Sequence, residues 1–198
     1  MKQMIIATKN AGKAKEFKQF FSVYGVEVIS LLELDEDIPA VEETGSTFSE
    51  NAALKAKHIS KLLNKPVLAD DSGLEIDALH GRPGIFSARY AGEPTDDGAN
   101  NRKVLSELKD VPGEDRTARF VCVIAIAAPG KKTIFRTGYC EGKIASEPRG
   151  DFGFGYDPIF VPNGYSVTMA ELPAEEKNRI SHRSKAIQQF GELFENRQ

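Results

Sequence analysis

The chain's periodicity predicts an α/β fold, a mixed β-sheet with helices packed on it, and three observations carry that prediction. Apolar strands alternate with helix-spaced segments through the first half, the rhythm of a parallel α/β sheet. In the second half two long runs flank Pro129-Gly130-Lys131-Lys132, which makes them an antiparallel pair. No repeat, low-complexity tract or flexible linker interrupts the 198 residues. The chain therefore reads as one large domain, or as two closely joined lobes with a cleft between them.

Residues 4–8 read as the first strand, and Asn10-Ala11-Gly12 turns the chain. Ala14, Phe17, Phe20, Phe21 and Tyr24 then recur at helical spacing, with Gly25 as the stop. A second strand covers 26–31. Thr47-Phe48-Ser49-Glu50 fits a capping box and opens a helix to about Leu63, with Ala52, Ala56, Ile59 and Leu63 on its apolar face. Residues 66–69 form a short apolar strand that ends in Asp70-Asp71, and Ser72-Gly73 supplies a tight turn. A helix is expected over 95–108 and strands over 119–128 and 133–144. The first of these strands is apolar throughout after its first residue, as in a strand covered on both faces. Residues 148–162 are loop-rich, and Ser181 begins a closing helix in which Ile187, Phe190 and Phe194 share a face.

A net charge of −3 argues against a nucleic acid polymer as partner, because phosphate-tracking proteins carry a basic surplus. No apolar run approaches the ~20 residues of a membrane helix. Residues 1–7 are too briefly apolar for a secretory signal. Cys122 and Cys140 are the only cysteines, and they read as reduced thiols packed in a core. A soluble cytoplasmic protein is the expectation.

The acid pair is the most informative feature. Carboxylates held at the end of a buried strand stand where α/β folds bind ligands. Successive strand side chains point to opposite faces, so the turn is needed before both could aim at one point, and it makes Asp71 the member that faces outward. Asp-Ser-Gly is also ordinary turn chemistry, which explains one Asp but not both. Thr8-Lys9-Asn10-Ala11-Gly12-Lys13 joins a strand to a helix, where backbone N–H groups and Lys13 suit an anion. The segment lacks the first glycine of a Walker A loop, and Ala14 stands where Ser or Thr would bind magnesium, so it is not a P-loop. Such junctions are common, and solvated lysines alone would explain it.

Glu42-Glu43 precedes Thr44-Gly45 and the helix cap. Magnesium takes one or two protein carboxylates and completes its shell with waters and substrate phosphates. The same pair could be a solvated stretch before a helix, and Lys55 could point into a cleft or into water. Phe152-Gly153-Phe154-Gly155-Tyr156-Asp157-Pro158 offers aromatic faces for a planar base, or a tight turn that plugs a core. Ser181-His182-Arg183 supplies donors for a carbonyl or phosphate.

Taken in order, these pieces resemble the purine nucleoside triphosphate pyrophosphatases, the Ham1-like inosine/xanthosine triphosphatases. The matches are Ala7-Thr8-Lys9-Asn10 with Gly12-Lys13, Glu42-Glu43-Thr44-Gly45 with Phe48, Glu50-Asn51-Ala52 and Lys55-Ala56. They continue with 69–74, Pro83-Gly84, 87–90, 116–120, Glu147-Pro148 and Gly150. Gly153-Phe154-Gly155-Tyr156-Asp157-Pro158, 169–172, Glu176-Lys177 and Ile180-Ser181-His182-Arg183 complete the set, which runs from end to end. Lys9 stands where many relatives carry a small or polar residue.

The resemblance implies hydrolysis of inosine, deoxyinosine and xanthosine triphosphates (ITP, dITP, XTP) to the monophosphate and pyrophosphate, with Mg2+. It implies an elongated two-lobed fold with a central mixed β-sheet, a single catalytic domain over 1–198, and a homodimer. It assigns Thr8, Lys9, Asn10, Ala11, Gly12 and Lys13 to the triphosphate, with Lys55. It assigns Glu42 and Asp71 to magnesium, and Asp71 also to the proton of the attacking water. Ser72 would touch substrate near the metal, while Phe154, Gly155, Tyr156, Asp157, Lys177, His182 and Arg183 would surround the base. Two other readings remain: a Maf-like pyrophosphatase for modified pyrimidine triphosphates, and a nucleotide sensor without turnover. Ser-His-Arg, Phe-Gly-Tyr-Asp and the retained acids at 42 and 71 favour the purine enzyme.

Overall fold

The computed structural model describes residues 2–34 and 38–195. Strand β1 (Lys2–Ile6) lies between β2 (Val26–Ser30) and β3 (Val67–Ile76) and runs parallel to both, with Ile5 opposite Ile29 and Val67. Parallel neighbours need a crossover. Helix α1 (Ala11–Ser22) lies in the first connection, and α2 (Phe48–Leu63) leads into β3. After α3 (Asp97–Glu107) come β4 (Thr117–Ala127) and β5 (Ile134–Ile144), adjacent in the sheet. Their 128–133 connection is too short for a crossover, so they form a hairpin. Strand β6 (Phe160–Pro162) pairs antiparallel with β5, and α4 (Ala174–Ile180) and α5 (His182–Glu195) close the chain. The order β2-β1-β3-β4-β5-β6 makes one mixed sheet.

Two compact units share these elements. The first gathers 1–71, 122–138 and 184–198, and the second gathers 72–121 and 139–183. In the first unit, Phe17 and Phe21 face inward one helical turn apart, their rings 6.4 Å between centroids, among Ile6, Val28, Leu68, Ile124 and Phe190. Truncating either ring would cost about 3–5 kcal/mol. In the second unit, Leu74, Ile76, Val104, Leu108, Phe120 and Phe160 pack together. Cys122 and Cys140 are both buried thiols, in no disulfide among the described residues.

Several expectations need correction. The first strand ends at Ile6, so Thr8 lies in the following loop. More consequentially, β3 does not stop at the acid pair but continues through Ser72 and Gly73 to Ile76. Local turn propensity yields there to burial, because Leu74 and Ile76 are both fully buried and hold the chain extended. Asp71 is therefore not an outward-facing tip residue. It is 6% exposed and Asp70 is 2% exposed. Residues 148–162, read as loop, hold β6, and α4 was not foreseen. Ser181 ends α4 rather than starting α5, which begins at His182. Ile187 and Phe190 are buried as expected; the side chain of Phe194 lies outside the described residues.

Candidate active site

The first unit assembles its candidate residues around the middle of β3. An uninterrupted strand sends Asp70 and Asp71 to opposite faces, and each meets a different lysine. Lys13 Nζ donates to Asp70 Oδ2 at 2.8 Å. Lys55 Nζ donates to Asp71 Oδ1 at 3.2 Å and to Glu43 Oε1 at 2.6 Å. Lys13 is delivered by the start of α1, where Asn10 accepts from the Lys13 N–H with its side-chain oxygen and Thr8 Oγ1 accepts from the Asn10 N–H. Lys55 comes from α2, whose start is capped by Thr47 accepting from the Glu50 N–H.

Burial more than any neighbour lifts the Asp71 carboxyl above the ordinary carboxylate range; Lys55 pulls it back and Glu43 adds to the rise. For Lys55, burial works against the charge, but Asp71, Asp70 and Glu43 outweigh it and hold the ammonium above the usual lysine value. Lys9 is exposed and, with Lys55, lines a cavity of about 160 Å³ walled by Ala7, Leu31, Val41 and Ile59.

Asn51, one helical turn before Lys55, explains how the acidic segment is held. It is fully buried, and its Oδ1 accepts from the Gly45 N–H at 2.8 Å. A Cβ on residue 45 would stand 2.6 Å from that oxygen and 2.7 Å from Glu50 Cβ, so only glycine fits there. Beyond this clamp Glu43 bonds Lys55, which also bonds Asp71. Glu42 is exposed.

A hard divalent cation needs carboxylate oxygens that are not already bonded. Asp71 Oδ2 meets that need: it is buried and has no hydrogen-bond partner among the described residues. Three carboxylates stand against two ammoniums in this cluster, so a polyphosphate would be repelled unless a cation came with it. Among the described residues no three His, Cys, Asp or Glu side chains converge as a preformed cage. Magnesium does not require one, since waters and phosphates fill most of its shell. The residues present fit magnesium.

The second unit assembles the remaining candidates. Lys177 Nζ stands 4.8 Å from the centroid of the Phe154 ring and the Arg183 guanidinium 5.2 Å from it. Lys177, His182 and Arg183 are all buried, and His182 stacks on Phe120 at 4.9 Å. Asp157 Oδ2 accepts from Lys177 Nζ at 2.7 Å and from the Phe154 N–H at 2.9 Å. Tyr156 donates to the Ser87 carbonyl at 2.7 Å, and burial raises its phenol so that it keeps this proton. The Ala170 carbonyl accepts from the Phe152 N–H, which ties the 169–172 motif to support of this loop. Ser72 follows Asp71 on β3, half-buried.

The structure thus groups Lys13 and Lys55 with Asp71, and Phe154, Asp157, Lys177 and Arg183 with one another. Sequence reasoning gave Glu42 a role through the resemblance, and gave none to Glu43, which bonds Lys55, or to Asn51, which bonds Gly45. It also passed over Asp97 and Asn101, which bond the Gly155 backbone. Their spacing of four on an expected helix was the available signal.

This strand-borne acid–lysine cluster and this aromatic–cation loop occur in a chain that belongs to the Ham1 family, whose sequence pattern matches residues 4–193. The chain is 66% identical over 190 residues to a protein of Oceanobacillus iheyensis named dITP/XTP pyrophosphatase, covering 96% of each. It is 55% identical over 195 residues to the Bacillus subtilis protein of the same name, covering 98% of each. The fold matches the Ham1 protein of Staphylococcus aureus with a TM-score of 0.88 at 48% identity, over 100% of both chains. It also matches a dITP/XTP pyrophosphatase from Mycobacterium abscessus with a TM-score of 0.77 at 41% identity, over 95% of this chain and 98% of that one.

Proposed function

We propose that this chain is a nucleoside triphosphate pyrophosphohydrolase that converts ITP, dITP and XTP to the monophosphate and pyrophosphate, and so removes deaminated purines from the nucleotide pool. The observation that carries the reading is Asp71: a buried carboxylate with one oxygen on Lys55 and the other without a hydrogen-bond partner among the described residues. Water adds to the α-phosphorus, the bond from that phosphorus to the bridging oxygen breaks, and pyrophosphate leaves with the bridging oxygen. Asp71 takes the proton of the attacking water. An unperturbed aspartate, with a pKa of about 3.9, is a weak base, and the upward shift from burial improves it.

Asp71 and the Glu42–Glu43 pair would hold magnesium, the resemblance naming Glu42 and the geometry favouring Glu43. Bound there, the ion supplies Lewis-acid stabilisation of the phosphates and of the leaving pyrophosphate. Lys13 and Lys55, with Thr8, Lys9, Asn10, Ala11 and Gly12, hold the triphosphate, and Ser72 contacts substrate beside Asp71. Phe154, Gly155, Tyr156, Asp157, Lys177, His182 and Arg183 read the base. The 6-carbonyl of a deaminated purine accepts hydrogen bonds from such donors, whereas adenine's amino group donates and leaves them unpaired. Residues 1–198 act as one catalytic domain, as a homodimer in the cytoplasm. That placement rests on the family, and among the described residues no helix is long and apolar enough to cross a membrane.

The test is release of pyrophosphate, with magnesium, over a panel of ITP, dITP, XTP, ATP, GTP and pyrimidine triphosphates. Fast release from the first three alone is expected. Equal rates across the panel, or orthophosphate as product, would overturn the reading.

A further inference from the structure

We propose that Asp97 and Asn101, on the first turns of α3, are positioning residues that set base selectivity by fixing the backbone of Gly155. The proposal rests on the functional reading above and extends it to residues with no role there. The loop around Phe154 belongs to no strand or α-helix, so its backbone groups must find partners elsewhere. Asp97 Oδ2 accepts from the Gly155 N–H at 2.7 Å, and Asn101 Nδ2 donates to the Gly155 carbonyl at 3.0 Å. Both polar groups of one residue are therefore gripped by one helix face, since side chains four apart lie together.

Capping does not explain Asp97. That task falls to Asp96, whose side chain accepts from the Ala99 N–H. Gly155 has φ +65°, a left-handed conformation that glycine tolerates on either side of the map and holds only when restrained. Fixing the peptide planes on both sides of Gly155 fixes the exit direction of Phe154, the residue before it. The Phe154 ring is the surface over which Lys177 and Arg183 lie. Asp97 and Asn101 thus act through Phe154 on the donors that read the base.

The test compares D97A, D97N and N101A with the wild type, by amide hydrogen exchange at residues 154–156 and by kcat and KM for dITP and dATP. Asp97 is exposed, so D97A keeps its fold even if the buried N101A does not. Loss of a hydrogen bond to a charged group shifts a local equilibrium by about tenfold or more. In D97A the Gly155 amide is expected to exchange about tenfold faster. KM for dITP should rise with kcat held, narrowing the dITP to dATP ratio in kcat/KM by a similar factor. D97N keeps an acceptor oxygen and restores both. A wild-type enzyme that prefers dITP, with a ratio unmoved in D97A, would overturn the proposal alone. A wild-type enzyme without that preference would overturn the functional reading and the proposal with it.

Discussion

In the first unit Lys13 and Lys55 sit against Asp70, Asp71 and Glu43, whereas in the second Lys177 and Arg183 lie over an aromatic ring with Asp157 bonded to Lys177. One cluster carries an anionic excess and the other a cationic one. A triphosphate is a poor fit for the first without a divalent cation, while a carbonyl-bearing base suits the second directly. The scaffolding is closely parallel. Asn51 grips the Gly45 N–H beside the acids, and Asn101 grips the Gly155 carbonyl beside the aromatic loop. Each asparagine is buried, with its other amide atom unbonded among the described residues. The fold therefore uses one device, an asparagine on a helix clamping a glycine, beside each cluster: the one proposed for bond breaking and the one proposed for base choice.

Removing the reacting carboxylate should break the first chemistry and spare the second. Asp71→Asn changes little in volume and deletes both the proposed proton acceptor and an anionic oxygen. A loss of about 10²–10⁴-fold in kcat at saturating magnesium is expected, with dITP binding retained. More than about a tenth of wild-type turnover would remove Asp71 from the chemistry.

A second contrast sets Lys13→Ala against Arg183→Ala. On the proposed assignment the lysine holds phosphate, so its loss should lower kcat/KM for ITP and ATP alike, and less at high salt, where a point charge is screened. On the same assignment the arginine reads the base, so its loss should lower ITP far more than ATP and narrow their ratio by about 10–100-fold, part of the discrimination such donors can supply. Initial rates on both substrates at low and high salt decide it. If Arg183→Ala lowers both substrates equally, Arg183 serves phosphate or fold, and the division between the two clusters collapses.

Much of this was legible in the sequence because local signals agreed with the fold. The Thr47 cap, the Phe17 and Phe21 spacing and the His182-Arg183 position at a helix start all follow from short-range pattern. What failed was local propensity opposed by long-range pairing. Ser72-Gly73 has turn chemistry, yet the buried Leu74 and Ile76 keep β3 extended. That continuity is why Asp70 and Asp71 meet separate lysines. That Glu43 is the member of its pair to bond Lys55 was equally invisible, because the path of this segment is held by Asn51 gripping Gly45 across six residues. Adjacent identical side chains give pattern analysis nothing to separate them.

The smallest effect tests how the first cluster tunes its base. Asp71 is lifted by burial, lowered by Lys55 and lifted again by Glu43. Glu43→Gln removes a like charge and should lower the Asp71 pKa, whereas Lys55→Met removes an opposite charge and should raise it. Carboxyl-carbon NMR titration of the metal-free protein reads both shifts without requiring activity. The same sign governs stability. A carboxyl whose folded pKa exceeds its unfolded value binds its proton more tightly in the fold, so its contribution is fully present below the unfolded value and is lost as pH rises through the folded value. Asp71→Asn should therefore melt no lower than wild type near neutral pH. Its advantage should widen in Lys55→Met and shrink in Glu43→Gln. Shifts of the same sign in the two charge variants would mean that Glu43 and Lys55 act through packing, and that Asp71 owes its basicity to burial alone.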